Sequence, residues 1–365
     1  MSDVLVFLIP ALISVVMFKV FFKKDITTKE FGLHALAALV ITGAVYGISM
    51  LALYSTLYDT EILNGYVSKK YQDTIVCNEY SSCRNYHYKT EYYYTTVDGK
   101  LKRKSRQVKV FDYPTEYNWE VETSVGNNFQ IERIDRRGTY EPPAFTAIKI
   151  GEYAAGTNTY VNPLLMSGVS LFNTETNKGI FSEEDLKNIP PYPNVVGVYK
   201  FNPFVNSTSV HTSDYRKLVN DVMISMGAQK QVNIVFVLYN PSETGPKYPD
   251  KVLSKWNGGK KNDVIVFFGI NDSNEITEFK SFSYAGGMGN ELLHSSLLMK
   301  FSGTEVFDRN AVVEVLESVQ KDFKRLPASE FKYLISEVRP SPFLSLLIVA
   351  LVCCVGAVFI RYDVR

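Results

Sequence analysis

The sequence predicts an α+β protein anchored in a membrane, with three transmembrane helices, a β-rich domain and an α/β layered domain. Three observations support this. Long apolar runs lie near both ends of the 365-residue chain. Tyrosine-rich segments, several of them alternating apolar and polar residues, fill the middle, and continuous apolar strands alternate with amphipathic helices after residue 194. The 39 basic and 38 acidic residues nearly cancel, so nothing predicts binding to the phosphate backbone of nucleic acid.

Three apolar runs are each about long enough to cross ~30 Å of hydrocarbon. They cover residues 4–22, 33–58 and 343–360. A cleaved signal peptide is the alternative for the first run, but no basic segment precedes it, and Lys23 and Lys24 follow it. Gly43 and Gly47 in the second run have the spacing that allows close helix packing, although glycine is also common in membrane helices.

Basic residues flank these runs and predict their orientation. Lys23, Lys24 and Lys29 lie between the first two runs, and Arg361 and Arg365 follow the third. The positive-inside rule makes both flanks cytoplasmic. We therefore expect a multi-pass inner-membrane protein in contact with the lipid bilayer, with residues 59–341 in the periplasm and a cytoplasmic C-terminus.

Two of the four cysteines, Cys77 and Cys83, lie outside the apolar runs, with five residues between them. In an oxidising compartment they are expected to form a disulfide. Metal binding is the alternative, but two ligands alone do not make a site.

Residues 66–162 are expected to form a β-rich extracytoplasmic domain. Asp98-Gly99 is a hairpin signal that follows a run of tyrosines. Segments 119–122 and 129–132 alternate cleanly between apolar and polar residues, which is typical of a sheet with one wet face. The basic cluster from Lys100 to Arg106 either contacts anionic lipid or a partner, or is a solvated flank of the hairpin.

Residues 163–193 are expected to connect this domain to an α/β domain over residues 194–326. A helix is predicted from Thr212 or Ser213 to Met226, with Gly227 as its stop. The order β-α-β-α-β-β-α-α over residues 195–323 predicts helices on both sides of a mixed sheet.

Candidate site residues lie at the ends of the predicted strands and helices of the α/β domain. They are Asp263, Asp272 and Glu291, as a carboxylate or divalent-metal site, and Gly286, Gly287 and Gly289, as a turn whose N–H groups face an anion. Solvated loop acids and simple turn geometry are the alternatives. No cofactor is expected, apart from Ca²⁺ or Mg²⁺ at those carboxylates.

Two stretches of the α/β domain, residues 256–267 and 286–292, resemble the TPM family of small α/β extracytoplasmic domains. The resemblance covers residues 195–323 and implies metal-assisted phosphatase chemistry, with Asp263 and Glu291 as its candidate catalytic residues. The stretch WEVETSVGNNFQIERIDRRG, residues 119–138, resembles uncharacterised membrane proteins of tailed bacteriophages.

Two functions follow as expectations. The first is a non-enzymatic membrane protein that binds envelope or membrane proteins, or stabilises a complex, through its periplasmic region. If the chain is phage-encoded, it would modify the host envelope. The second is a membrane-anchored phosphatase of the TPM type, using a divalent ion.

Overall fold

The computed structural model describes residues 27–97, 99–166, 181–196, 199–303 and 305–337, together with short stretches between 12 and 20 and single positions between 343 and 356. The chain is α+β, as predicted. It divides into two compact units. The first unit comprises Met1–Asp59, Thr159–Ser182 and Pro327–Arg365, and the second comprises Thr60–Asn158 and Glu183–Leu326.

The first unit contains a 28-residue helix, α1 (Thr28–Ser55), which is long and apolar enough to span a membrane. It begins with a capping box, in which the Thr27 side chain accepts from the Glu30 N–H and the Glu30 carboxylate accepts from the Thr27 N–H. It corresponds to the predicted run 33–58, displaced toward the N-terminus because strand pairing starts at Tyr58. The predicted helices 4–22 and 343–360 lie mostly outside the described residues.

Packing on α1 involves its middle turns. Ala38 is buried together with Ile348, and Val15 and Ile41 pack against them. Gly43 and Gly47 take no part in close packing within the described part of the chain, since a Cβ at either position would meet no atom within 4 Å.

The second unit contains a four-stranded sheet in the order β5-β4-β1-β6. Its strands are β1 (Tyr58–Val76), β4 (Thr115–Thr123), β5 (Asn128–Ile131) and β6 (Tyr153–Val161). Trp119, Val121 and Phe129 alternate onto one buried face, as their sequence pattern predicts, and pack against Phe145 of the short helix α2 (Pro143–Ala147).

Between β1 and β4 the chain forms a long antiparallel hairpin, β2 (Tyr86–Val97) and β3 (Lys100–Phe111). Gly99, the second residue of the predicted Asp98-Gly99 signal, lies between the two strands and has a φ of 73°. Asp98 lies outside the described residues. Among the described strands, β2 and β3 pair only with each other.

The α/β part carries a second sheet in the order β12-β11-β10-β9. Its strands are β9 (Phe204–Asn206), β10 (Asn233–Tyr239), β11 (Asp263–Ile270) and β12 (Ile276–Ser283). The first three are parallel, and β12 is antiparallel to β11. Every residue of β10 and β11 is buried, as expected for strands covered on both faces.

Helices cover both faces of this sheet, as predicted. The helices of the α/β part and their flanks are α3 (Glu183–Lys187), α4 (Ser213–Lys230), α5 (Pro241–Thr244), α6 (Tyr248–Lys255), α7 (Glu291–Phe301) and α8 (Arg309–Asp322). Helices α4, α7 and α8 share one core with the sheet, and α6 shares the other. Because α4 and α6 join successive parallel strands over opposite faces, their crossovers have opposite hands, and one is left-handed.

Two boundaries in the α/β part differ from those predicted. The predicted order of elements begins with a strand at residue 195, but that segment forms a small hairpin, β7 (Val195–Val196) and β8 (Lys200–Phe201), and the first strand of the sheet is β9. Helix α4 continues through Gly227 and ends at Gln231, which has a φ of 51°. Gly227 lies against the backbone of Asn64, where a Cβ would come within 2.3 Å of a carbonyl oxygen, so it permits close approach rather than termination.

The segments expected as two domains form one compact unit. Asn262 at the start of β11 donates to the Ile62 carbonyl oxygen, and the Asn64 side chain donates to that of Val232. Phe129 of the first sheet stacks on Tyr199, with ring centroids 5.1 Å apart. These buried polar and aromatic contacts join residues far apart in the chain, so the sequence pattern carries no signal for them.

Candidate functional site

The predicted carboxylate candidate Asp263 is fully buried at the first residue of β11. It accepts hydrogen bonds from the Tyr192 hydroxyl at 2.9 Å, the Asn233 side chain at 2.9 Å and the Lys260 N–H at 2.7 Å. Burial raises the pKa of Asp263 to about 6, although these donors oppose the rise. This buried carboxylate joins the segments that contain Tyr192, Asn233 and Lys260, and it is not placed to contact a substrate.

The other predicted acids lie elsewhere. Asp272 follows the carboxyl end of β11, is exposed, and accepts from the Asn240 side chain at 3.1 Å. The eight residues of β11 separate Asp263 from Asp272 by roughly 26 Å at 3.3 Å per residue. The two carboxylates therefore lie at opposite ends of one strand, and the structure does not bring them together in one site.

The glycine turn is occupied by side chains of the chain itself. Glu291 accepts from the Gly289 N–H at 3.0 Å, which places a carboxylate where the turn was expected to hold an external anion. Gly287 lies against the ring of His294, within 2.8 Å of where its Cβ would be. Gly286 and Gly287 both have positive φ, so turn geometry alone accounts for them.

His294 is a residue whose partners the sequence analysis missed. Its two ring nitrogens lie 2.8 Å from the hydroxyls of Ser281 and Ser283, which are two residues apart on β12 and so share a face. Burial lowers the pKa of His294, and the nearby Glu291 carboxylate opposes this. In the sequence, the only indication of this contact is that two serines are spaced two residues apart on a predicted strand. The arrangement ties α7 to β12.

A second feature missed from the sequence is a cleft of about 720 Å³ along the polar face of α4. Its charged lining residues are Glu152, Lys200, Arg216, Lys217 and Asp221. Cations and carboxylates are mixed along its length, so the lining favours no single class of ligand.

The hairpin of β2 and β3 is an exposed feature of the second unit with a distinctive composition. Its 12-residue strands are about 40 Å long at 3.4 Å per residue. Residues 86–111 contain seven basic and two acidic residues, a net charge of +5 in a chain whose total is +1. From residue 99 to residue 107 every residue is exposed.

The register gives the hairpin two different faces. One face, here called the tyrosine face, carries Tyr86, Tyr88, Tyr92, Tyr94, Leu101 and Phe111. The opposite face, here called the basic face, carries Lys89, Lys100, Lys102, Lys104 and Arg106. Tyr94 is 67 % exposed and Leu101 is 75 % exposed. Since Lys102 and Lys104 on the basic face are also exposed, both faces of the hairpin tip are open to solvent.

Cations also lie against the tyrosine rings. The Arg103 guanidinium is 3.8 Å from the centroid of Tyr92, and the Lys109 ammonium is 4.0 Å from that of Tyr86. Such contacts contribute about 0.5–1 kcal/mol at exposed sites. They help to hold the rings of Tyr86 and Tyr92 in place.

The root of the hairpin is fixed by a buried ion pair. Glu116 at the start of β4 has a fully buried side chain and pairs with Arg133 at 2.5 Å. It also accepts from the backbone N–H groups of Arg84 and Asn85, the two residues before β2. Burial alone would raise the pKa of Glu116, but these donors outweigh it and lower the pKa to about 2.

A disulfide between Cys77 and Cys83 closes the loop that leads from β1 to this root, as predicted. The two sulfurs and the Glu116 carboxylate lie within 4.8 Å of one another. Because both cysteines are committed to the disulfide, this group lacks the thiolates that a metal ion would need. The disulfide and the ion pair together position the first residues of β2.

Comparison with known proteins finds no family model, no curated protein and no solved structure that matches the chain. The resemblances to the TPM family and to tailed-phage membrane proteins therefore stay predictions.

Proposed function

We propose that the protein is a multi-pass membrane protein whose large extracytoplasmic region binds other components of the cell envelope. The observation that carries this proposal is the hairpin of β2 and β3. A two-stranded ribbon is marginally stable by itself in water, and this one exposes most of its aromatic side chains on one face and most of its cations on the other. Such a surface favours binding to a partner over catalysis.

Helix α1 supports membrane attachment. It is about 42 Å long at 1.5 Å per residue, and its leucines and valines are largely exposed, including Leu36, Val40 and Leu51. A core helix of a soluble protein would bury these side chains. Three transmembrane helices, at 4–22, α1 and 343–360, are part of the proposal, with residues 59–341 on the outer side.

The disulfide supports that orientation, since stable disulfides are typical of compartments outside the cytosol. Lys23, Lys24 and Lys29 support it independently through the positive-inside rule. If the chain is phage-encoded, its binding activity would modify the envelope of the host cell.

The test uses the full-length chain in cells. A photocrosslinking phenylalanine analogue replaces Tyr92 on the hairpin or, as the matched control, Tyr140, which is also exposed in the second unit. Discrete crosslinked species, protein or lipid, identified by mass spectrometry at Tyr92 and absent at Tyr140 are the expected result. The same products at both positions, or none at Tyr92, would overturn the proposal.

A further inference from the structure

The hairpin has the two-faced composition of elements that lie in a membrane interface. Amphipathic segments of this kind place aromatic and apolar side chains toward the bilayer and carry Lys and Arg on the opposite face. Five of the six tyrosine and phenylalanine side chains lie on the tyrosine face, and five of the seven cations lie on the basic face. The other two cations, Arg103 and Lys109, lie on the tyrosine face against the rings of Tyr92 and Tyr86. Tyrosine is well suited to the position because its ring is apolar and its hydroxyl remains hydrated.

Charge complementarity favours an anionic surface as the binding partner. The hairpin has a net charge of +5, and the remaining residues of the chain have a net charge of −4. On the basic face, Lys100, Lys102, Lys104 and Arg106 recur every second residue, about 7 Å apart along β3. A row of cations at this spacing matches an array of headgroup phosphates better than a single buried ligand.

The same row of cations disfavours a protein partner that would add a strand to the hairpin. Lysines along an edge strand are a recognised means of blocking strand addition. In the headgroup region the outer N–H and C=O groups of β2 and β3 keep access to water, so the ribbon needs no further strand there. The chain also carries a candidate membrane helix, and anchoring by that helix would give the hairpin a high effective concentration of lipid surface.

We propose that the hairpin docks on an anionic phospholipid surface, with Tyr88, Tyr92, Tyr94 and Leu101 turned toward the acyl chains and the basic-face lysines reaching back to the phosphates. This inference rests on the proposed function and names the partner of the same surface. The root at Glu116 and the disulfide then hold the ribbon at a fixed exit from the first sheet of the second unit.

The test compares two adjacent tyrosines on opposite faces. Tyr94→Trp places a tryptophan on the tyrosine face, and Tyr93→Trp places one on the basic face, one residue further from the turn. Each full-length variant is reconstituted in brominated phosphatidylcholine, with or without brominated phosphatidylglycerol, and the signal of Trp119 and Trp256 in the unsubstituted protein is subtracted. Bromine quenches tryptophan that reaches the acyl chains.

Quenching of Tyr94→Trp that exceeds that of Tyr93→Trp and increases with phosphatidylglycerol is the expected result. Lys102→Gln with Lys104→Gln should lower the docking equilibrium constant by about 25-fold, since each cation near an anionic surface contributes about fivefold. Lys300→Gln with Lys321→Gln removes the same charge from α7 and α8 and should leave the quenching unchanged.

Equal quenching at the two positions, or none in either lipid, would overturn the lipid assignment. A protein crosslinked at Tyr92 together with unquenched Tyr94→Trp would reject the lipid assignment while leaving the proposed binding function intact. Absence of both crosslinks and quenching would reject the two together.

Discussion

Glu116 is the residue on which the hairpin root most depends. It is a buried carboxylate with one guanidinium partner and two backbone N–H donors, so its removal leaves Arg133 buried without its counter-ion. Breaking one side of such a buried pair typically costs about 3–5 kcal/mol. We expect Glu116→Ala to lower the free energy of unfolding by about this amount, measured by urea denaturation of the full-length protein in detergent.

Glu122 on the same strand provides the control. Its contact with Lys69 is 3.8 Å long and largely exposed, so Glu122→Ala should cost less than about 1 kcal/mol. Equal losses for the two variants would contradict the role assigned to Glu116.

The lowered pKa of Glu116 gives this prediction a pH dependence. Because the pKa in the folded protein is about 2 and its ordinary value is 4.5, the ionised group stabilises the fold fully above pH 4.5. That contribution is lost as the pH falls toward 2. The difference in unfolding free energy between the unsubstituted protein and Glu116→Gln should therefore shrink over this range, and a constant difference would exclude the ion pair as its source.

Residue-scale chemistry was only partly predictable. The disulfide between Cys77 and Cys83 could be predicted because they are the only two cysteines outside the apolar runs and they lie close together in the sequence. Asp263 could not be placed from the sequence, because an acid at a strand start has the same pattern whether it is solvated or buried. Its partners Tyr192 and Asn233 come from segments 71 and 30 residues away, a distance over which periodicity gives no information.

At the scale of elements, the disulfide constrains the segment between β1 and β2. It closes a loop with a sequence separation of 6, for which the loss of chain entropy corresponds to about 2 kcal/mol. Replacing both cysteines, Cys77→Ser with Cys83→Ser, should lower the unfolding free energy by about this amount. Reduction with dithiothreitol should lower the melting temperature of the unsubstituted protein and not that of the double variant.

Helix α4 gives a prediction in which local propensity and packing disagree. Alanine is favoured over glycine inside a helix by about 1 kcal/mol, yet a Cβ at Gly227 would lie 2.3 Å from the Asn64 carbonyl oxygen. We expect Gly227→Ala to destabilise the protein by about 1–3 kcal/mol, as overpacking does. Gln229→Ala, at an exposed position of the same helix, should be neutral or slightly stabilising in the same thermal unfolding assay.

Elements with strong periodicity were predicted well, whereas their ends were not. The buried strands β10 and β11 and the alternating strands β4 and β5 appear where their patterns place them. Helix α4 extends past its expected stop because Gln231 adopts the left-handed conformation that usually signals glycine. The hairpin turn was recognised from Asp98-Gly99, but the solvent exposure of both its faces depends on what the fold leaves uncovered.

At the scale of the whole molecule, the sequence implied two extracytoplasmic domains and the structure joins them. Buried amides of Asn64 and Asn262 donate across this junction to backbone carbonyl groups, and buried polar groups must be satisfied in this way. The fold class was predictable because it follows from local patterns. The junction was not, since its two buried amide hydrogen bonds join residues more than 160 positions apart.

The proposed topology is the property on which the function of the whole chain depends, and it makes a direct prediction. Single cysteines at Lys29, Tyr140 and Asp363 sample the first connector, the second unit and the C-terminal tail, in a background with Cys353→Ser and Cys354→Ser. A membrane-impermeant maleimide should label only Tyr140→Cys in intact spheroplasts, because the positive-inside rule holds the other two positions in the cytoplasm. Permeabilised spheroplasts, in which all three should react, provide the control. Labelling of Asp363→Cys in intact spheroplasts would mean that the run 343–360 does not cross the bilayer. Labelling of Lys29→Cys instead of Tyr140→Cys would mean that the orientation is inverted. The Cys77–Cys83 disulfide would then lie in the cytoplasm, without the oxidising environment that it requires.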